Sequence, residues 1–388
     1  MPIYMDHNAT TPVDPRVVEA MLPCLTEHFG NAASRTHPYG WAAAKLAERA
    51  RESIAAAIGA HPEEVIFTSG ATESDNLAIK GAAWALAQRG KGIVTCATEH
   101  KAVLDPCAAL GRAGFAVTVL RVDGAGRLDP ERLAEALTPG TVLASVMRAN
   151  NETGTLQPIR EIAAACRERG VLLHCDATQA VGKIPVDVAD LAVDLMSFSA
   201  HKVYGPKGVG ALYVRRRTPR VRLVPLLDGG GHEQGVRSGT LNVPGVVGFA
   251  RALELALAEM ADESARLAGL RDRLCERLCA SLPGVTVNGH PSERLPNTAN
   301  LSFAGVDGAA LLVGLAEVAV ASGSACTSAD PRPSHVLLAM GRSKELANAS
   351  IRFSLGRSNS AADVDVVAAA VVREVTRLRA QARPALPR

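Results

Sequence analysis

The sequence predicts an α/β protein built on a large, mostly parallel sheet, with a smaller α+β part after it. Three observations carry this reading. From about residue 62 to 215, short β-branched runs alternate with Ala/Leu/Arg-rich helical runs, the pattern of a sheet covered by helices on both faces. From Pro244 to Leu282 the apolar residues fall at helical spacing, and beyond that stretch short strand-like runs return. A chain of 388 residues is also long for one hydrophobic core. The division expected is a large α/β domain at 15–258 and a small domain at 259–388, the latter joined by residues 1–14.

The elements follow in order. Val65-Ile-Phe-Thr reads as a strand, followed by a helix to Gln88, and Gly92-Ile-Val-Thr-Cys as a strand followed by a helix to Ala113. Phe115-Ala-Val-Thr-Val-Leu, Val142-Leu-Ala-Ser-Val-Met, Val171-Leu-Leu-His-Cys and Gly210-Ala-Leu-Tyr-Val continue the series. Leu253, Leu257, Met260, Leu267, Leu270, Leu274 and Leu278 imply one long helix or two joined ones, of the kind that bridges domains. Val285–Asn288, Asn300–Phe303, Val318–Ala321 and Ile351–Ser354 resemble a small sheet, and Ala382–Arg388 reads as a frayed end.

Bulk properties narrow the function. Hydrophobic residues are 47% and charged residues 21%, as in an ordinary globular protein. A net charge of +3 is too balanced for nucleic acid as the primary ligand. The apolar run near Ala309–Ala321, broken by Gly314 and Glu317, is shorter than the roughly 20 residues a bilayer span needs. No basic segment followed by an apolar stretch opens the chain, so the expected compartment is the cytoplasm, with no membrane partner. None of the eight cysteines (24, 96, 107, 166, 175, 275, 279 and 326) forms a Cys-x-x-Cys pair, so no metal site is expected and most should be buried small residues. Arginine far outnumbers lysine, which makes each lysine worth inspecting. Arg215-Arg-Arg-Thr-Pro-Arg-Val-Arg222 suits a solvated strand edge better than a docking patch.

Three segments carry chemistry, each at a strand end, where ligands of open α/β sheets gather. Thr68-Ser-Gly-Ala-Thr-Glu-Ser-Asp-Asn76 joins a strand to a helix through Gly70. Its N–H groups, small hydroxyls and positive helix end make a phosphate cradle, although the same residues suit a well-capped helix. His174-Cys-Asp-Ala-Thr-Gln179 ends a buried strand on Asp176. A buried carboxylate needs a cationic partner such as a protonated pyridine nitrogen, unless it only caps a turn. Ser197-Phe-Ser-Ala-His-Lys-Val-Tyr-Gly-Pro-Lys-Gly208 puts Lys202 in a tight loop between apolar strands. Lost hydration there lowers an amine's pKa and frees it for imine chemistry, whereas Lys207 reads as a solvated turn lysine.

These segments, with Asp6-His-Asn-Ala-Thr-Thr-Pro, Phe29-Gly-Asn-Ala-Ala-Ser, Thr98-Glu-His-Lys, Asn150-Asn-Glu-Thr-Gly, Gly229-Gly-Gly-His-Glu, Arg237-Ser-Gly-Thr-Leu, Ser322-Gly-Ser-Ala-Cys-Thr-Ser and Ile351-Arg-Phe-Ser-Leu-Gly-Arg, run in order from near residue 3 to near residue 360. The chain resembles the cysteine desulfurases, in the class V aminotransferase branch of fold-type I pyridoxal 5'-phosphate (PLP) enzymes, and is most similar to their iron–sulfur-assembly branch. The resemblance implies that Lys202 forms the cofactor imine and moves the substrate Cα proton. It implies that Asp176 pairs with the pyridine nitrogen and Gln179 with the ring hydroxyl oxygen. His100 would stack on the ring and assist proton transfer, and Asn151 would contact ring substituents. Ala71, Thr72, Ser199 and His201 would hold the phosphate, with Thr240 reaching it from the other subunit of a homodimer. Asn31 and Arg352 would bind the substrate carboxylate, Arg352 through its planar fork.

Cys326 narrows the class to a function. It sits among small residues in Ser322-Gly-Ser-Ala-Cys-Thr-Ser-Ala-Asp-Pro-Arg-Pro, a pattern of a mobile loop and not of a buried core. A thiolate there would take sulfur from L-cysteine, leaving L-alanine and a Cys326 persulfide for a sulfur-acceptor protein such as an iron–sulfur scaffold, or for thiolation. The alternatives are a selenocysteine lyase or other class V lyase or aminotransferase, and an assembly-scaffold subunit without catalysis, against which Lys202, Asp176, His100 and Cys326 speak. Housekeeping desulfurases carry a longer tail that docks the scaffold, whereas this sequence stops soon after Leu378, which leaves the acceptor open. Ser199-x-x-Lys202 with Ser74-Asp-Asn76 mimics β-lactamase motifs in reversed order and without Lys-Thr-Gly, and Gly229-Gly-Gly lacks the Gly-x-Ser-x-Gly turn of esterases.

Overall fold

Short apolar, β-branched runs form the centre of the molecule. The computed structural model describes residues 2–217, 220–322 and 332–382. After a two-residue strand, β1 (Ile3–Tyr4), the large sheet collects β2 (Val65–Thr68), β3 (Gly92–Cys96), β4 (Ala116–Leu120), β5 (Thr141–Ser145), β6 (Leu172–Asp176), β7 (Leu195–Ser199) and β8 (Gly210–Val214). Their order across the sheet is β2-β8-β7-β6-β5-β3-β4. Only β8 runs against its neighbours β2 and β7; the other pairs are parallel. Strands β2, β5, β7 and β8 are buried throughout, as strands covered on both faces must be. The expected bounds of β2, β3, β4, β5, β6 and β8 hold within a residue or two.

Register sets the working edge of this sheet. Thr68 of β2 and Ser199 of β7 both pair with Gly210, and Asp176 of β6 pairs with Ser197. Strand ends β2, β6 and β7 therefore meet the start of β8 on one side. Gly210 permits the approach: a Cβ there would lie 2.7 Å from the Gly70 Cα and 2.9 Å from the Phe198 carbonyl oxygen.

The stretch after Pro244 is one helix, Val243–Ser281, of 39 residues, begun by Asn242, whose side chain accepts from the Gly245 N–H. At 1.5 Å per residue it spans about 58 Å. Its first half buries Val246, Phe249, Leu253 and Ala256 against the large sheet. Its second half buries Leu267, Leu274 and Leu278 in a separate core with the helix Ala361–Ala382. That second core lies on a four-stranded sheet of β9 (Val285–Asn288), β10 (Thr298–Phe303), β12 (Ala321–Ser322) and β13 (Ser350–Ser354), ordered β12-β13-β10-β9 with antiparallel pairs. The apolar run expected at Val318–Ala321 divides: β11 (Val318–Ala319) pairs in parallel with β1, while β12 joins the sheet.

Cys24, Cys96, Cys107, Cys166 and Cys175 are buried, Cys275 partly so, and Cys279 is exposed. Arg215 forms an ion pair with Asp194 at 2.5 Å, and the Arg216 N–H donates to Glu64. Among the described residues no helix is long and apolar enough to cross a membrane.

The rings of Phe249, on the long helix, and Phe198, on β7, lie 5.6 Å apart and both are fully buried. Phe249→Ala is expected to cost about 3–5 kcal/mol in urea unfolding; a loss below about 1 kcal/mol would show that the helix is not held there.

Candidate active site

The strand ends open into a cleft of about 1280 Å³, its open mouth included. Lys202 lies on its floor, in the 3-10 turn Ala200–Lys202 that directly follows β7. The chain turns there because the Ala200 carbonyl accepts from both the Val203 and the Gly205 N–H. The Lys202 Nζ donates to the carbonyl oxygens of Asn8 (2.5 Å) and Ala9 (2.8 Å). Asp176 ends β6 and lines the same cleft, with its Oδ1 accepting from the Thr178 N–H at 2.9 Å.

A helix start supplies the anion cradle. Helix α3 (Ala71–Ala85; α1 is Pro15–Thr26 and α2 is Pro38–Ala57) begins after Gly70, which has no side chain to cap it, so its N–H groups and positive end face the cleft at Ala71 and Thr72. Ser199 and His201 stand beside it. Burial, with Lys202, Lys207 and Lys183 nearby, pushes the His201 imidazole down to about 4, so it is neutral at physiological pH. Its Nδ1 lies 3.1 Å from the Thr10 hydroxyl.

Across the cleft, His100 caps helix α4 (Lys101–Arg112). Its Nδ1 accepts from the Ala102 N–H at 3.1 Å, which puts the proton of the neutral ring on Nε2. Asn151 and Arg352 close the far wall. Arg352, on β13, is only 1% exposed; its guanidinium donates to Asp6 (2.7 Å) and to the Asn151 carbonyl (3.1 Å). A buried, partly neutralised fork at the rim is suited to a carboxylate.

Near Asp176 stand two further buried acids, Asp75 on α3 and Glu99 in the connection after β3. Burial, and then the Asp176 carboxylate, drive both carboxyls well above the usual range. Glu99 accepts from the Met147 N–H, and Asp75 lies 3.5 Å from the His174 Nε2. His174 is fully buried between the hydroxyls of Ser145 (2.8 Å) and Ser197 (2.9 Å), and burial pushes it down to about 4.

The cleft thus gathers Lys202, His100, Ala71, Thr72, Asn151, Asp176, Gln179, Ser199, His201 and Arg352. Two expected residues are not brought to it within one chain. Asn31 sits in the exposed connection between α1 and α2, its Oδ1 accepting from the Ala33 N–H, and Thr240 is exposed before the long helix. Cys326 lies outside the described residues. Residues the sequence reading gave no role include Asn8, Asp75, Glu99 and Lys183. Asn8 stood inside the motif Asp6-His-Asn, and Lys183 could have been found from the scarcity of lysine.

An amine at a strand end, a carboxylate placed for a ring nitrogen, a helix N-terminus for a phosphate and an arginine for a carboxylate define a PLP-binding amino-acid enzyme of fold type I. The family profile "Aminotransferase class-V" matches residues 3–367. The chain is 59% identical over 379 residues, 98% of this chain and 94% of the relative, to "Cysteine desulfurase IscS" of Anaeromyxobacter sp. (strain Fw109-5). Among solved structures it is similar to a "NIFS-LIKE PROTEIN" (TM-score 0.90, 39% identity, 97% of this chain and 100% of that one). It is also similar to "SspA in complex with cysteine" (TM-score 0.81, 37% identity, 91% and 98%). The chain belongs to the class-V aminotransferase family, PLP-dependent enzymes of fold type I.

The buried histidine in the middle of the sheet gives a pH signature. His174 binds a proton in the unfolded chain near 6.5 but in the folded one only near 4. Its contribution to stability is present above 6.5 and is lost as pH falls from 6.5 to 4. Denaturation midpoints measured across that window should decline, and His174→Gln should make the decline shallower; an unchanged slope would contradict the assignment.

Proposed function

We propose that the enzyme is a cysteine desulfurase. The observation that carries this reading is the convergence of Lys202, Asp176, the α3 N-terminus and Arg352 on one cleft. The names of the relatives support it, and the solved complex of the similar protein SspA with cysteine supports L-cysteine as substrate.

When bound, the cofactor supplies an aldehyde carbon for imine formation and a ring that draws electrons from the substrate Cα. Lys202 would hold that carbon through its Nζ and would carry the substrate Cα proton there. Asp176 would keep the pyridine nitrogen protonated, Gln179 would meet the ring hydroxyl oxygen, and Asn151 would contact ring substituents. Ala71, Thr72, Ser199 and His201 would hold the phosphate. His100 would cover the ring face and assist proton transfer, and Arg352, with Asn31, would orient the substrate carboxylate. The Cys326 thiolate takes the substrate sulfur: L-cysteine and the Cys326 thiol become L-alanine and a Cys326 persulfide, with atoms and electrons balanced.

Assembly as a homodimer, with Thr240 completing the partner's phosphate site, is supported by apolar side chains that α1, α2 and their connection leave outward: Leu25 (60% exposed), Phe29 (66%) and Trp41 (56%). The persulfide would pass to a sulfur-acceptor protein of iron–sulfur assembly or thiolation in the cytoplasm.

Lys202→Ala is expected to give colourless protein whose cysteine turnover is reduced at least about 100-fold; a variant that keeps colour and turnover would overturn the reading. Cys326→Ser should keep the yellow cofactor yet release only background sulfide from cysteine, and normal release would exclude the persulfide route.

A further inference from the structure

The side chain of Gln179 lines the cleft beside Asp176, and both ends of its carboxamide are committed. Its Oε1 accepts from the Lys183 Nζ at 2.7 Å, and its Nε2 donates to the Asn8 carbonyl oxygen at 3.0 Å. The Lys183 Nζ also reaches the Asn8 Oδ1 at 3.4 Å. Turning the amide over would set an NH₂ against the lysine nitrogen and an oxygen against a carbonyl. The donor and acceptor ends are thus assigned by chemistry. One N–H of the amide is used on Asn8, and the second remains.

We propose that Lys183 is a positioning residue, which with Asn8 locks the Gln179 carboxamide so that an N–H, not the oxygen, is offered to the ring oxygen of the bound cofactor. The inference rests on the PLP reading above and assigns a residue to it. Lys183 does not line the cleft; it faces a separate small cavity behind Lys202. It therefore acts through Gln179.

Local structure places it there. Residues 177–184 form a helical turn, in which Val181 and Ile184 donate to Ala177 and Ala180. Gly182 has φ +76°, and a Cβ on it would lie 2.7 Å from a Val203 methyl. The Lys183 carbonyl accepts from the Ser264 hydroxyl at 2.8 Å, which ties the turn to the long helix. His7, His201, Lys202 and Arg352 lie near this amine, with Tyr204, Glu263 and Arg357 on the cavity it faces, and burial with the cations Lys202 and Arg352 pushes it down to about 7. An amine donates to Gln179 in either protonation state, so the lock survives that titration.

A donor to the ring oxygen favours its anionic form and makes the chromophore harder to protonate. The test is a pH titration of the visible colour of the cofactor-loaded protein. Lys183→Met should raise the midpoint by about one unit, a tenfold gain in proton affinity, and Lys183→Ala provides a second truncation should the first not fold. Lys183→Gln, whose amide can still donate to Gln179, should restore the parent midpoint. In a Gln179→Ala background, Lys183→Met should add no further shift. An unmoved midpoint in the truncations, or an equal shift with and without Gln179, would overturn the proposal. A parent protein that takes up no colour would instead overturn the PLP reading.

Discussion

Asn8 ties the molecule together at the place where its chemistry occurs. The residue is 1% exposed, and its polar groups are engaged on both sides. Its backbone N–H donates to the Ser354 hydroxyl, and its Nδ2 to Thr298 and to the Asn151 carbonyl. Its Oδ1 accepts from Asn297 and Lys183, while its carbonyl receives Gln179 and Lys202. The small sheet is held through Thr298 and Ser354, the large sheet through the turns after β6 and β7. Each buried group left without its partner costs about 1–3 kcal/mol, so a shift of one sheet against the other breaks several bonds at once. The cleft keeps its shape because the segment beneath its floor is also the joint between the two cores.

Electrostatics around that joint distinguish two part-buried lysines. Lys183, with its amine pushed down to about 7, has the depressed basicity that imine chemistry favours. Taken alone, that property would nominate Lys183. Geometry separates the two: Lys202 opens on the cleft, whereas Lys183 stands behind Gln179. On the opposite side, burial and Asp176 disfavour negative charge on Asp75 and Glu99 and push both carboxyls well above the usual range. Burial pushes His174, close by, down to about 4.

The large sheet was legible because each of its strands is a local apolar run bounded by turn residues, and the segments around Thr72, Asp176 and Lys202 followed because they stand at strand ends, whereas His100, Asn151, Gln179 and Arg352 came from the resemblance. Local pattern also announced the long helix, but not whether it was continuous; packing against two cores in succession keeps it so. Asn8 and Lys183 were not legible as site residues. Their partners lie up to 346 positions away, and no periodicity encodes such contacts. Asp75 and Glu99 carry no local signature either, because the strands that enclose them lie far away in sequence. Asn31 and Thr240 came from resemblance alone, and one chain does not bring either to the cleft.

The central claim is that Lys202, and no other lysine, carries the cofactor. Reducing the yellow protein with borohydride and mapping its peptides by mass spectrometry tests this directly. The account requires the pyridoxyl group on the peptide containing Lys202. Finding it on Lys183 or Lys207 would contradict the site as assigned.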